Sequence, residues 1–189
     1  MKRPLAHLAW ASVACLSMLA NPLSASAQRA PEPEDRNPSR RSEQVTLTVI
    51  KAKALTKFDR KIRFTKRHRP DFYLITRASG HRGRTRRKNN QDNPTFNHKV
   101  VVKPTKSSSG LVFNIQLLDS DIGKDDQADI SPDRRKRDLS VVYTFRTGKI
   151  SLFGQRQPVL GRVGEVITVK GDAKKNRASL TFKINHTGR

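Results

Sequence analysis

The chain predicts an all-β fold, a two-sheet antiparallel sandwich, on three observations. Apolar residues recur with a period of two in short runs, hardly anywhere with the 3.6-residue period of a helix, and polar turn residues separate the runs. About 145 residues follow the N-terminal segments, enough for one domain around one core. Seven or eight such runs in an apolar-poor chain bury their faces best by laying one sheet on another.

Residues 1–27 read as an export signal peptide. Lys2 and Arg3 form a basic start, Leu5 to Leu19 is an apolar stretch too short to span a bilayer comfortably, and Ala25-Ser26-Ala27 offers a small-residue cleavage site. Cys15 is the single cysteine, with Ser12 where a lipidation signal usually has Leu, so cleavage after Ala27 is the favoured reading. It leaves no thiol for a disulfide or a thiolate metal site. Residues 28–43, QRAPEPEDRNPSRRSE, carry three prolines, four charges of each sign and no large apolar residue, which predicts a flexible tether. Residues 44–189 form the domain. The mature chain has no apolar stretch long enough to cross a membrane, so an exported protein is expected, periplasmic or secreted and at most peripheral to a membrane.

Within the domain, Val45, Leu47 and Val49 alternate with Thr46, Thr48 and Ile50. Strands are then expected at Phe72 to Ile75, Val100 to Val102, Leu111 to Leu118, Ser140 to Phe145, Val166 to Val169 and Ala178 to Ile184. The last two flank Gly171-Asp172-Ala173-Lys174-Lys175-Asn176 and predict a terminal hairpin, with Leu180, Phe182 and Ile184 on one face and Ser179, Thr181 and Lys183 on the other.

The formal net charge is +23. Setting aside two bases in the leader and the neutral tether leaves 33 bases and 12 acids in the domain, a net +21. Such an excess implies an anionic partner: phospholipid head groups, lipopolysaccharide phosphates, nucleic acid or an acidic polysaccharide. Against it stands one acidic run, with Asp119, Asp121, Asp125, Asp126 and Asp129 inside eleven residues. Like charges at such spacing repel, by roughly 1 kcal/mol per pair at 4 Å in water and about 4 kcal/mol near a protein surface. The run therefore invites a hard cation held by oxygen, calcium first. The plainer alternative is a solvated loop paired with Arg134, Arg135, Lys136 and Arg137. The acids do not follow the spacing of an EF-hand loop.

Four segments, in order, resemble the C2 domain, the eight-stranded β-sandwich best known from calcium-dependent membrane-binding proteins. They are VTLTVIKAKAL leading to Pro70-Asp71-Phe72-Tyr73-Leu74, then Asn93-Pro94-Thr95-Phe96-Asn97-His98, then LVFNIQLLDSDIGKDD, then ASLTFKI. The likeness covers nearly all of residues 44 to 185. It implies Asp119, Asp121 and Asp126 as third-loop calcium ligands and Asp71 as the second ligand of the first loop. Asp59 would be the first ligand, although it lies twelve residues before Asp71, a longer interval than is usual. Loops at one end of a sandwich suit this task because they gather carboxylates without burying charge in the core. Two departures stand out. The first loop carries Lys57, Arg60, Lys61, Arg63, Lys66, Arg67 and Arg69 against Asp59, and Asp129 occupies a position where the family often has Gly, as a spare ligand or a disturbance.

Arg82, Arg84, Arg86, Arg87 and Lys88 fall on the family's lysine-rich strand, which in some members grips phosphorylated head groups. Alternation places Arg84, Arg86 and Lys88 on one face, about 7 Å apart. Charges on an edge strand also prevent edge-to-edge pairing, so the row has a structural alternative. Together with Arg60, Lys61 and Arg63 of the first loop it marks the expected anionic-surface site. A nucleic-acid partner is less favoured, since no aromatic alternates with the bases as stacking requires. No phosphate loop, zinc spacing or nucleophile elbow suggests an enzyme. The expected function is binding of anionic phospholipid or lipopolysaccharide bridged by calcium; the alternative is a calcium-independent polyanion-binding module.

Overall fold

The computed structural model describes residues 43–58, 69–105, 107–154 and 159–188. These lie in the compact unit Ser39–Arg189. The predicted signal peptide, the tether up to residue 42, and Asp59, Arg60, Lys61 and Arg63 lie outside the described residues.

Eleven strands make up the described part: β1 (Gln44–Ala54), β2 (Phe72–Ala78), β3 (His81–Arg84), β4 (Thr95–Val102), β5 (Gly110–Asp119), β6 (Asp126–Ala128), β7 (Leu139–Thr144), β8 (Lys149–Leu152), β9 (Gly161–Arg162), β10 (Ile167–Lys170) and β11 (Ala178–Thr187). One sheet has the order β10-β11-β1-β4; the other runs β3-β2-β5-β7-β8-β9, with β6 also paired to β5. Every strand pairing is antiparallel. The all-β sandwich is as predicted. The strand number exceeds the expected eight because β6, β8 and β9, two to four residues each, are too short to show alternation in sequence.

Period-two burial builds the core. On β5, Leu111, Phe113, Ile115 and Leu117 turn inward, and on β11 Leu180, Phe182 and Ile184 do the same. Each such side chain contributes about 1.5–3 kcal/mol by leaving water. The terminal hairpin forms, with Ile167 opposite Phe182. Its other face is less wet than expected: Ser179 and Thr181 are buried, and Thr181 shares a 3.0 Å hydroxyl hydrogen bond with Thr168 across the pair.

A register shift between Val49 and Lys51 of β1 appears against both β4 and β11. Opposite it on β4, Asn97 takes φ of +48°, a left-handed conformation that Asn tolerates better than most residues. Ala52 N donates to Pro94 O at 3.1 Å and Ala54 N to Asp92 O at 2.7 Å. The Asn-Pro-Thr-Phe-Asn segment thus serves to carry the chain through a bulge onto β1.

The basic strand differs from expectation. Strand β3 stops at Arg84, paired with Ile75. Continuing that register would set residue 87 opposite Phe72, yet Lys88 is the residue bridged to Phe72. One extra residue has been inserted, with the Thr85 hydroxyl accepting from Leu74 N at 2.9 Å within the irregular stretch. An insertion of one reverses the face of everything beyond it. Arg84 and Lys88 therefore do not belong to a single row.

Candidate functional site

The inward face of β5 ends on Asp119, which period two places in line with Leu111, Phe113, Ile115 and Leu117. Its side chain is accordingly buried, only 1 % exposed, contrary to the expectation that the loop carboxylates stay clear of the core. Asp71 N donates to Asp119 Oδ1 at 2.5 Å, and Ser120 N donates back to Asp71 O at 3.2 Å. Asn90 N donates to Asp71 Oδ1 at 2.6 Å. Three segments remote in sequence, around residues 71, 90 and 119, are thereby fixed at one end of the sandwich. Arg87 completes this cluster: its Nη1 stands 3.9 Å from Asp71 Oδ2 and donates to Ser120 Oγ at 3.4 Å, while its Nε donates to Asn89 Oδ1 at 2.8 Å.

Asp126 lies opposite Asp119 in the β5–β6 register and accepts from Asn176 Nδ2 at 3.2 Å. Asp125 accepts from the Tyr73 hydroxyl at 2.6 Å. Burial, reinforced by that hydrogen bond and by the negative charge of Asp125, raises the Tyr73 pKa above its ordinary value, although the Arg84 guanidinium, 4.3 Å from the ring centroid, acts in the opposite direction. Asp121 is half-buried just beyond β5. Between β5 and β6 stands Ile122, fully exposed, followed by Gly123 at φ +109°.

The structure thus brings Asp71, Asp119 and Asp126 to one end, with Asp121 next in the chain. Among the described residues no group of three or more His, Cys, Asp or Glu side chains is gathered closely enough to hold a metal. Arg84, Arg86 and Arg87 are exposed and Lys88 is half-buried.

Asp129 has a separate task. It is 1 % exposed; its Oδ1 accepts from Ser131 N at 3.2 Å and its Oδ2 from Ala173 N at 2.7 Å. Its main chain accepts from Ala178 N and donates to Asn176 O. The residue braces the segment after β6 against the β10–β11 loop, which is neither of the roles expected of it. The neighbouring bases pair locally: Arg134 with Asp172 at 3.2 Å and Arg135 with Asp133 at 3.4 Å, while Arg137 Nη1 donates to Gln127 O at 3.0 Å. Within the acidic run, Arg137 therefore grips main chain. Ile122, the Tyr73–Asp125 bond and the brace at Asp129 went unread in sequence; only the exposed Ile beside Gly, inside a charged turn, left a visible signal.

Residues 43–141 of this sandwich, just over half the chain, match the C2 domain. The chain belongs to the C2 domain family, whose members are generally lipid- or membrane-binding modules, often calcium-dependent and typically not catalytic. No curated protein matches the chain. Among solved structures it is similar to the paired C2 domains of extended synaptotagmin 2, calcium bound, at 15 % identity and TM-score 0.49, covering 77 % of this chain and 45 % of that one. A single C2 domain of a plant extended synaptotagmin 1 gives 13 % and 0.42, covering 77 % and 94 %. Human GIVD cytosolic phospholipase A2 gives 15 % and 0.46; the match covers 76 % of this chain and only 16 % of that enzyme. No helix among the described residues is long and apolar enough to cross a membrane.

Proposed function

We propose that the domain docks on anionic phospholipid membranes by the loop end that carries Ile122. The observation that carries this reading is the complete exposure of that side chain at the tip of a loop whose base is fixed by the Asp71–Asp119 bond, with exposed Arg84, Arg86 and Arg87 on the same domain. Burying an Ile is worth about 1.5–3 kcal/mol, and each base near an anionic bilayer adds about 1 kcal/mol. Together they suffice for reversible attachment. Membership of the C2 family supports the same partner.

Calcium is the expected bridge. By donor type Asp71, Asp119, Asp121 and Asp126 fit a hard cation, and the main-chain N–H of Asp71 bonded to Asp119 Oδ1 keeps the first two at the same end; bound calcium would supply positive charge that attracts lipid phosphate. A second reading, attachment without calcium, is favoured by Arg87, whose guanidinium already stands beside Asp71. Sedimentation of the full chain with phosphatidylserine vesicles separates the two. Binding abolished by chelator and by Asp119→Asn with Asp121→Asn supports the bridge; binding indifferent to both eliminates it. Ile122→Asp should weaken attachment by roughly tenfold or more, and unchanged attachment would rule out the loop tip. Lipopolysaccharide micelles in parallel test whether the recognised phosphate extends to that class.

Export through residues 1–27, with action in the periplasm or outside the cell, belongs to the same reading. N-terminal sequencing of the expressed protein checks it: a chain beginning at Gln28 supports cleavage, and one retaining Met1 to Ala27 opposes it.

A further inference from the structure

A cavity of about 580 Å³ opens between the segment after β6 and the β10–β11 loop. Arg134, Arg135, Lys136, Arg137 and Lys174 line it, against the acids Asp129 and Asp172. Asp129 accepts one backbone N–H on each oxygen, and Asp172 is engaged by Arg134. Lys136 and Lys174 form no ion pair among the described residues. Five bases line the cavity against two acids, and with Asp133, which pairs Arg135 from beside it, an excess of two positive charges remains.

The walls are held in place. Ile130 N donates to Arg137 O at 3.0 Å, closing the turn that carries the bases, and Lys136 N donates to Asp133 O at 2.9 Å inside it. Asp133 N donates to Ser131 Oγ at 3.1 Å, and Arg135 N to Asp133 Oδ1 at 3.2 Å. Across the cavity Ala173 is tied to Asp129. The main chain that carries these bases is thus held by the fold, while Arg134 and Arg135 stay largely exposed at the side chain.

We propose that this cavity binds a phosphomonoester group, with room beside it for the small polar body that carries the phosphate. Guanidinium forks and mobile ammonium groups together suit a phosphate presenting three oxygens and about −1.5 to −2 charge, better than a singly charged diester. The site involves neither calcium nor the Ile122 loop, and it stands whether or not the domain docks on membranes.

The test is calorimetric titration of the full chain with fructose 1,6-bisphosphate in the presence of chelator, with sulfate at equal ionic strength as control. Saturable binding of the bisphosphate is expected, at least tenfold weaker in Lys136→Ala with Lys174→Ala and unchanged in Arg84→Ala with Arg86→Ala. All four residues are exposed, and an unchanged melting temperature confirms that the variants fold. Equal affinity in wild type and the Lys136/Lys174 variant, equal loss in both variants, or sulfate binding as tightly would each overturn the proposal. Vesicles identify the source of the phosphate. Preference for phosphatidic acid over phosphatidylglycerol at matched surface charge, competed by the bisphosphate, assigns the site to a lipid head group; bisphosphate binding without that preference assigns it to a soluble ligand.

Discussion

Asp119 and Asp129 stand ten residues apart in one acidic run, each only 1 % exposed, and they are held in different ways. Asp129 receives backbone N–H groups on both oxygens, from Ser131 and Ala173, and a Cβ added to Gly171 would lie 2.1 Å from its carbonyl oxygen. That packing joins two segments of one end of the sandwich. Asp119 closes a strand and receives Asp71 N, in a neighbourhood that includes half-buried Asp121 and exposed Asp126. One carboxylate is enclosed in framework, whereas the other stands at the root of an open loop.

The sharpest way to break this contrast is to attack the framework side. Gly171→Ala forces a methyl group into backbone that cannot yield cheaply and should cost about 3 kcal/mol. Asp129→Ala, which strands the N–H groups of buried Ser131 and half-buried Ala173, should cost about 2–4 kcal/mol. Both are read by urea denaturation of the full chain. Asp119→Ala removes the acceptor of Asp71 N and is expected to cost less, about 1–2 kcal/mol; Asp119→Asn, which keeps an oxygen, should cost less still. An Asp119→Ala loss equal to that of Asp129→Ala would abolish the division of labour.

The fold was legible because β burial is written with period two: Leu111 to Leu117 and Leu180 to Ile184 announce their strands and the sheet they face. The same rule correctly applied would have placed Asp119 on the core face. The site was legible only in part. Asp71, Asp119 and Asp126 share an end, as the C2 resemblance implies, since strand termini carry loops to one pole of a sandwich. The row Arg84, Arg86, Lys88 failed because alternation cannot see an inserted residue. The hydrogen bond that marks it, Lys88 N to Phe72 O, is a relation between strands. The brace at Asp129 was hidden for a similar reason: its partner Ala173 lies 44 residues away, and no local spacing announces it.

The smallest expected effect sharpens the open side of the comparison. Tyr73 lends its hydroxyl to Asp125 at the edge of the acidic loop, and Tyr73→Phe keeps the ring and its contact with Arg84 while removing that bond. Near pH 8 the loss should be about 1 kcal/mol, below the effect at Asp119. The alkaline limb reports the burial of this hydroxyl together with its bond to Asp125. Burial and Asp125 hold the folded-state pKa of Tyr73 above its ordinary value near 10, so the unfolded chain releases this proton first as pH rises. The stability contributed by the protonated hydroxyl is therefore present below the unfolded pKa and is lost as pH climbs through the folded one. As pH rises past the ordinary tyrosine value near 10, denaturation midpoints of wild type should fall more steeply than those of Tyr73→Phe. Parallel slopes would mean that the hydroxyl is neither buried nor held by Asp125 in solution, and that this side of the loop is looser than its hydrogen bonds imply.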